Sequence, residues 1–328
     1  MDKLTIKAIK ASEIKLLNPL IDRYLLSEWR RYRIFTNEEQ VRYIIFHIRQ
    51  LIQKNSENIL LIAFKRNIPV GLALFCFLDW DSLHFGINMA AIKYLISEGS
   101  YFEQIEIKNQ LLQRIVEISR CEHVSHVSFR VDSEDYSSLF CLPNNGFYFM
   151  DTLVTYVLRP SKVKIPYIKS LCSVRPFHRT DLSRIMNIAR DSFQANRFCL
   201  DPFLNPQKSK TLYERWIKNH CEGKRQENII WIAERKGKII GFLSYMLNKE
   251  IERITGKQVW GHGLGAIIPS AKGAYPSLLS FAIERHGNRG NIIEFDALLT
   301  NMEANRVYQH FGLMLTKTQH TWHRWLQR

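Results

Sequence analysis

The residues that could do chemistry are concentrated in the last quarter of the sequence. An apolar, glycine-rich segment is followed there by a turn of small residues, Ser270–Pro276, and then by a segment of helical pattern. Free N–H groups at the start of a helix, together with the positive end of its dipole, favour anions. The turn therefore predicts an anion site. A short helix that carries Tyr308 and is closed by Gly312 follows further on.

Four elements must position this turn and this tyrosine. Apolar runs indicate buried strands, and Pro269 and Gly312 mark where elements end. The predicted elements are a strand over Val259–Ile268, a helix over Ser277–Arg285, a strand over Ile292–Leu299 and a helix over Asn301–Phe311. Asn301 is the predicted N-cap of the last helix.

The composition is that of a packed protein with an excess of basic residues. A length of 328 residues suggests about two domains, and 46 basic against 31 acidic residues give a net charge of +15. This charge favours polyanionic partners such as nucleotides, CoA, nucleic acid or anionic lipid, although a solvated basic surface explains it equally well. Six cysteines without C-x-x-C spacing indicate reduced core thiols and a cytoplasmic protein. The sequence shows no signal-peptide core and no apolar run long enough to span a bilayer.

The order of predicted elements repeats between the two halves of the chain. Each half reads as an entry segment, helices, a hairpin, a strand–turn–helix, a further strand and helix, and a closing strand. In the first half these elements include a helix over Ile21–Arg49, a strand over Ile59–Lys65 and a short helix over Tyr136–Asn144. In the first half the eight residues Asp79–Gly86 read as a polar-aromatic loop, and in the second half Thr180 is a plausible helix N-cap. The predicted domains are residues 1–159 and 171–328, joined by a linker over 160–170.

At the quoted turn, strand and helix the chain resembles the GNAT superfamily of N-acetyltransferases, twice in tandem. The pattern N-x-x-A-x-x-x-Y-x-x-x-G from Asn301 to Gly312 carries much of the resemblance. It implies an α/β fold with a mixed sheet, in which the turn cradles the pyrophosphate of acetyl-CoA. Two strands part to admit the pantetheine arm, and a tyrosine protonates the leaving thiolate. Ser270 and Tyr275 depart from the family's usual loop.

The resemblance assigns residues of this sequence to these roles. Tyr308 becomes the general acid, and Arg197 and Asp201 become substrate contacts. The backbone N–H groups near Ala266–Ile268 would polarise the thioester carbonyl. The residues implied for acetyl-CoA are Ala266, Ile267, Ile268, Lys272, Gly273, Ala274 and Asn301. No metal is expected.

The general base stays open among several groups. His262 has a suitable unperturbed pKa near 6.5, Asp296 and Glu294 lie on a central strand, and a water relay would also serve. Only the second half has a candidate CoA loop. At the matching place the first half has Glu98 and Glu103, which would repel a pyrophosphate.

Further segments in both halves are similar to the family of TDP-fucosamine N-acetyltransferases. They include the D-W-D-S-x-x-F-G segment that begins at Asp79 and the R-F-C-L-D-P segment that begins at Arg197. The resemblance implies transfer of an acetyl group to the amine of a nucleotide-linked amino-sugar by a monomer or homodimer, with no nucleic-acid partner. The alternatives are a non-catalytic module that binds CoA or a nucleotide sugar and, third, an aminoacyl or peptide acyltransferase.

Overall fold

The computed structural model describes residues 3–22, 24, 35–159, 163–223, 228–261, 263–287 and 292–326. The chain forms two compact units, Met1–Thr152 with Lys317–Arg328, and Leu153–Thr316. The predicted division at 159 and 171 differs from this, because it places residues 317–328 in the second domain and 153–159 in the first. Within the described ranges, no helix has the length and apolar character needed to cross a membrane.

The first unit is a six-stranded mixed sheet with helices. Its strands follow the order β1-β2-β3-β4-β5-β13, antiparallel except for the parallel pair β4–β5. Its elements are β1 (Leu4–Ile9), α1 (Asn18–Asp22), α2 (Asn37–Lys54), β2 (Ile59–Lys65), β3 (Ile68–Phe77), α3 (Asp79–Phe85), β4 (Met89–Ser97), α4 (Tyr101–Cys121), β5 (His126–Asp132), α5 (Tyr136–Asn144), the start of β6 (Tyr148–Leu158) and most of β13 (Met314–Trp325).

The second unit repeats this plan. Its order is β7-β8-β9-β10-β12-β6, with β11 paired to β9 and a parallel pair β10–β12. Beside the end of β6 it contains β7 (Ser173–Pro176), α6 (Leu182–Ser192), α7 (Arg197–Leu200), α8 (Pro206–Glu222), β8 (Asn228–Arg235), β9 (Lys238–Leu247), α9 (Lys249–Thr255), β10 (Val259–Gly261), β11 (Gly265–Ile267), α10 (Ala274–Gly287), β12 (Ile292–Leu298) and α11 (Met302–His310).

Each sheet is held by its own buried apolar side chains. In the first unit α4 places Leu111, Leu112 and Ile115 against the sheet, and all three are at most 1% exposed. In the second unit α10 contributes Leu278 and Leu279, both fully buried. The mixed α/β fold predicted from the sequence is confirmed.

Three sequence predictions are wrong in detail. Residues 79–85 form α3 rather than a loop, because Gly86 ends the helix in the left-handed conformation at φ 71°. The single strand predicted over 259–268 is two short strands, β10 and β11. Thr180 is not a helix cap, since it lies inside the 3₁₀ turn Arg179–Asp181 that precedes α6. Of the helix predicted over 21–49, residues 23 and 25–34 lie outside the described residues, and α2 begins at Asn37.

Candidate functional site

The predicted anion turn lies between β11 and α10. Pro269–Ala271 is a 3₁₀ turn, Gly273 has φ +88°, and α10 begins at Ala274. The first turn of α10 contains no acidic residue. Pro276 contributes no N–H group, but the preceding residues keep theirs, and the first N–H groups of a helix have no partner within it. The turn therefore keeps a positive backbone end for an anion.

Lys272 stands at the tip of this turn with a carboxylate beside it. Its Nζ lies 2.7 Å from Glu303 Oε1, and both side chains are largely exposed. The hydrogen bond from Lys272 lowers the pKa of the Glu303 carboxyl. An arriving phosphate would compete with Glu303 for the same ammonium group.

The segment before β7 holds the turn from one side. Leu171 donates its N–H to Ser277 Oγ at 2.9 Å, and its carbonyl accepts from Arg235 Nε at 2.9 Å. A Cβ added to Gly273 would lie 3.3 Å from Leu171 Cδ1. Any side chain at position 273 would therefore meet this segment as well as the strain of a positive φ.

The strands part beside the turn. β10 pairs with β12 at Val259↔Ile292 and Trp260↔Ile293, whereas β11, among the described strands, pairs with β9 alone, and β12 continues along β6. Gly263 lies between β10 and β11, and a Cβ there would clash with Ser244 O. The result is an opening between β11 and β12.

The hydrogen bonds between β11 and β9 show which backbone groups of β11 face this opening. Ile268 N–H donates to Ile240 O at 2.8 Å, and Leu264 O accepts from Ser244 N–H at 2.7 Å. Because hydrogen-bonded and non-bonded positions alternate along an antiparallel pair, Ala266 also faces β9. Of the three residues predicted as donors, Ile267 is the one whose N–H faces the opening, and Gly265 shares that side.

Tyr308 lies on α11 beside the opening. The side chain of Asn301 caps this helix by accepting from Ala304 N–H at 3.1 Å, as predicted. The Tyr308 ring is 4% exposed and stacks on Phe295 with centroids 5.3 Å apart. Burial raises the pKa of the Tyr308 phenol well above 10, so the phenol stays protonated at neutral pH.

A second tyrosine, which the sequence reasoning did not assign to the site, meets Tyr308. Tyr275 Oη lies 3.1 Å from Tyr308 Oη, and burial raises the pKa of Tyr275 to about 12. A Cβ on Gly265 would be 2.9 Å from Tyr275 Oη. The glycine on β11 is the sequence signal for this contact, since its missing side chain leaves room for the phenol.

The candidate general bases differ in their exposure to solvent and in their distance from Tyr308. His262 lies outside the described residues. Asp296 is exposed on β12 and accepts from Thr155 Oγ1 at 2.6 Å, and its charge contributes to the raised pKa of Tyr308. Glu294 is 3% exposed on the same strand, with Gly261 close to its Cβ. Asp296 is therefore the described carboxylate that is both accessible and near the phenol.

The predicted substrate residues lie on α7 and just after it. The Arg197 guanidinium stands 4.3 Å from the centroid of the Phe198 ring. Asp201 is 4% exposed and accepts from Phe203 N–H at 3.0 Å. Asp201 thus shapes the turn after α7, and a contact of either residue with substrate stays a prediction.

The strand–turn–helix of the first unit has a different chemistry. Ser100 caps α4, and its N–H and Oγ donate to Glu103 Oε2 at 3.0 and 2.9 Å. These bonds lower the pKa of the Glu103 carboxyl to about 2. A cavity of about 930 Å³ beside this turn is lined by five carboxylates, those of Glu98, Glu103, Glu106, Glu134 and Asp135.

These features define the fold class: the chain has the fold of the GCN5-related N-acetyltransferases (GNAT), in tandem. It is similar to the crystal structure of a GCN5-related N-acetyltransferase from Sphaerobacter thermophilus, with TM-score 0.65 and 12% identity over 100% of this chain and 97% of the other. A tandem GNAT protein from the clavulanic acid biosynthesis pathway gives a TM-score of 0.58 at 12% identity, over 99% of both chains.

One relative of the chain has a name that states a biological process. The chain is 24% identical over 221 residues to the spore coat polysaccharide biosynthesis protein SpsD of Bacillus subtilis. The match covers 66% of this chain and 72% of SpsD. No family model matches the sequence.

Proposed function

We propose that the chain is an N-acetyltransferase that moves an acetyl group from acetyl-CoA to the amine of a nucleotide-linked amino-sugar. The observation that carries the proposal is the parting of β11 from β12 beside the buried Tyr308, directly before the start of α10. The similarity to SpsD, a polysaccharide biosynthesis protein, supports a sugar acceptor. The product would be a precursor of a surface polysaccharide.

The second unit has the groups that acetyl-CoA needs. Its pyrophosphate would bind at Lys272, Gly273 and Ala274, where the helix end is positive and the first turn of α10 has no acidic residue. It would displace Glu303 from Lys272. The thioester would lie in the opening, with its carbonyl toward the N–H of Ile267. A positioned donor of this kind lowers the barrier of acyl transfer by about 3–4 kcal/mol in other enzymes.

The transfer then needs one proton removed and one proton supplied. The neutral amine attacks the thioester carbonyl, and the amine proton leaves to Asp296, to the predicted base His262 or to water. As the C–S bond breaks, Tyr308 gives its phenolic proton to the sulfur, and free CoA leaves as a thiol. A phenol that stays protonated in the resting protein is suited to this acid role.

Acceptor specificity would come from the region of α7. Arg197 carries a cation that can pair with a phosphate of the nucleotide. It lies in the first turn of α7, which Asn196 caps by accepting from Phe198 N–H at 2.9 Å. The net charge of +15 favours an anionic sugar nucleotide in the same way.

The test is a panel of nucleotide-linked amino-sugars incubated with acetyl-CoA and the intact protein. Release of free thiol and a product heavier by one acetyl group are expected with at least one sugar. The matched hydroxyl sugars, which lack the amine, serve as the control and should release nothing above background. Acetyl-CoA binding without thiol release for every amine would contradict the proposal and favour the non-catalytic module.

A further inference from the structure

Two phenols share one hydrogen bond in the second unit. Tyr275 is the second residue of α10, Tyr308 lies on α11, and their oxygens are 3.1 Å apart, so either can be the donor. Tyr308 is buried, whereas Tyr275 is half-buried. The pair therefore connects a buried phenol on α11 to a residue of α10 that is partly exposed as a whole.

The contact is built by a close approach across the unit. Tyr275 reaches over Gly265 of β11, where a Cβ would lie 2.9 Å from its Oη and 3.0 Å from its Cε2. The Tyr308 ring is fixed by Phe295 on one side and by Tyr156, whose centroid is 5.4 Å away. Both oxygens are thus held in place by packing before any substrate arrives.

We propose that Tyr275 is a positioning residue that acts through Tyr308, donating a hydrogen bond to the Tyr308 oxygen as Tyr308 gives its proton to the CoA sulfur. The inference rests on the proposed acetyl transfer and deepens it. It gives a role to a residue that departs from the usual CoA loop of the fold.

Every proton in the C–S cleavage step is accounted for. The C–S bond breaks, the sulfur takes the Tyr308 proton, and Tyr308 becomes a phenolate that accepts from Tyr275 O–H. The proton of Tyr275 can pass to this phenolate, and the phenol pair takes up one proton from solvent to return to its resting state. The amine proton released on the acceptor side balances this uptake.

A buried phenolate needs such a donor. Burial disfavours the charged form most, the neighbouring Tyr275 disfavours it next, and the charge of Asp296 adds to this, so the pKa of Tyr308 stands well above 10. Tyr275 has this effect because its own phenol, with a pKa of about 12, ionises first at high pH. While Tyr275 is protonated it can donate to a Tyr308 phenolate instead. Tyr156 also faces the ring, and Gln309 Nε2 donates to Tyr156 Oη at 3.5 Å. Among the described side chains in contact with Tyr308, Tyr275 is the one with a hydrogen bond to its oxygen.

The kinetic test is a double-mutant cycle in single turnover. Tyr275→Phe keeps the ring over Gly265 and removes only the O–H, and a hydrogen bond to a charged group predicts a fall of about 10- to 100-fold in rate. Acetyl-CoA affinity should be unchanged. In a Tyr308→Phe background the same substitution should have no further effect, because its partner is absent. Tyr245→Phe is the control, since Tyr245 forms its hydrogen bond with Trp231 at 3.0 Å.

A second measurement needs no acceptor sugar. A fluorinated tyrosine at position 308 ionises at lower pH than tyrosine and can be followed by fluorine NMR. With Tyr275 present, its phenolate keeps a donor and should form at lower pH than in Tyr275→Phe. Equal ionisation in both proteins would overturn the proposal.

The outcomes separate the two claims. A cycle in which Tyr275→Phe slows transfer equally with and without Tyr308 would overturn the coupling and make Tyr275 an independent contributor. Coupled ionisation in a protein that acetylates no amine would contradict the proposed function. The phenol pair would then be a hydrogen bond without a role in transfer, and the relay would fall with it.

Discussion

The two units contain the same strand–turn–helix, and they differ in what fills the turn. In the first unit three residues, 98–100, connect β4 to α4, and the carboxylate of Glu103 accepts the N–H and O–H of Ser100. In the second unit six residues, 268–273, connect β11 to α10, and Lys272 is the charged residue of the turn. The first unit thus places its own carboxylate at the helix end where a phosphate would bind.

The helix that follows shows the same contrast at a single position. Asp135 caps α5 and Asn301 caps α11, each by accepting from the N–H three residues later, and Gly146 and Gly312 end both helices with positive φ. The seventh residue after the cap is Leu142 in one unit and Tyr308 in the other, and both are buried. Either side chain fills the buried space at this position, so both are compatible with the fold. Only the tyrosine carries a hydroxyl that could donate a proton.

The largest effect is expected when the second unit is expressed without its first strand. Residues 171–328 alone lack Leu153–Leu158, which pair with β12, so the buried positions of β12 would stand at an open edge. We expect this fragment to aggregate, as judged by size-exclusion chromatography and thermal melting. The fragment 153–316 is the control and should be more soluble. A monomeric 171–328 that melts cooperatively would contradict the unit boundaries.

The next largest effect is expected from substitutions of Tyr308, which corresponds to Leu142 in the first unit. Tyr308→Leu gives the second unit the residue of the first, and Tyr308→Phe keeps the ring against Phe295. Both should lower the single-turnover rate by about 10²–10⁴-fold with acetyl-CoA affinity nearly unchanged, because a positioned acid is lost. Since the pKa of Tyr308 lies well above 10, ionisation of this phenol should not lower the wild-type rate up to that pH. Retention of most of the rate in Tyr308→Phe would remove the phenol from the mechanism.

A smaller effect is expected at the turn. Gly273→Glu brings an acidic side chain of the kind found in the first unit to the proposed pyrophosphate site. Gly273→Ala is the matched control, because φ +88° strains either residue. Relative to alanine, glutamate should weaken acetyl-CoA binding by about tenfold or more, and less so at high salt. Equal affinities of the two variants would show that no phosphate binds there.

The smallest effect concerns the ion pair at the turn. Glu303→Gln removes the partner of Lys272, and because an exposed ion pair contributes little, acetyl-CoA should bind at most about fivefold more tightly. Glu284→Gln makes the same charge change on α10 and should leave affinity unchanged. Binding that weakens in Glu303→Gln would mean that Glu303 orients Lys272 rather than competing for it.

Much of the fold follows from local patterns in the sequence. The predicted β2 and α5 agree with the structure at both ends, because turn-forming residues bound a continuous apolar run in β2 and a short apolar segment in α5. The helix α3 was missed since its seven residues are mostly polar or aromatic, and Gly86 ends it only through a left-handed cap. The break between β10 and β11 was missed because a glycine-rich apolar run has the pattern of one strand. The break depends on the close approach of the Ser244 backbone to Gly263, which the sequence does not show.

The site was predictable only where one element determines it. Asn301 as a cap follows from its place before a helical pattern, and the structure confirms it. Tyr275 depends on a packing contact with Gly265 and a hydrogen bond to Tyr308 on another helix. Gly265 is its one sequence signal, and a glycine in an apolar run does not say which side chain will pack against it. The orientation of Ile267 likewise depends on the pairing of β11 with β9.

Hydrogen exchange of the intact chain, with and without acetyl-CoA, tests most directly whether the donor site belongs to the second unit alone. The account predicts slower exchange of the amides in residues 268–277 on addition of acetyl-CoA, because the pyrophosphate occupies the free N–H groups of that turn. It predicts no change in residues 97–104, where Glu103 already accepts from Ser100. Slower exchange in residues 97–104, or no change in residues 268–277, would contradict it.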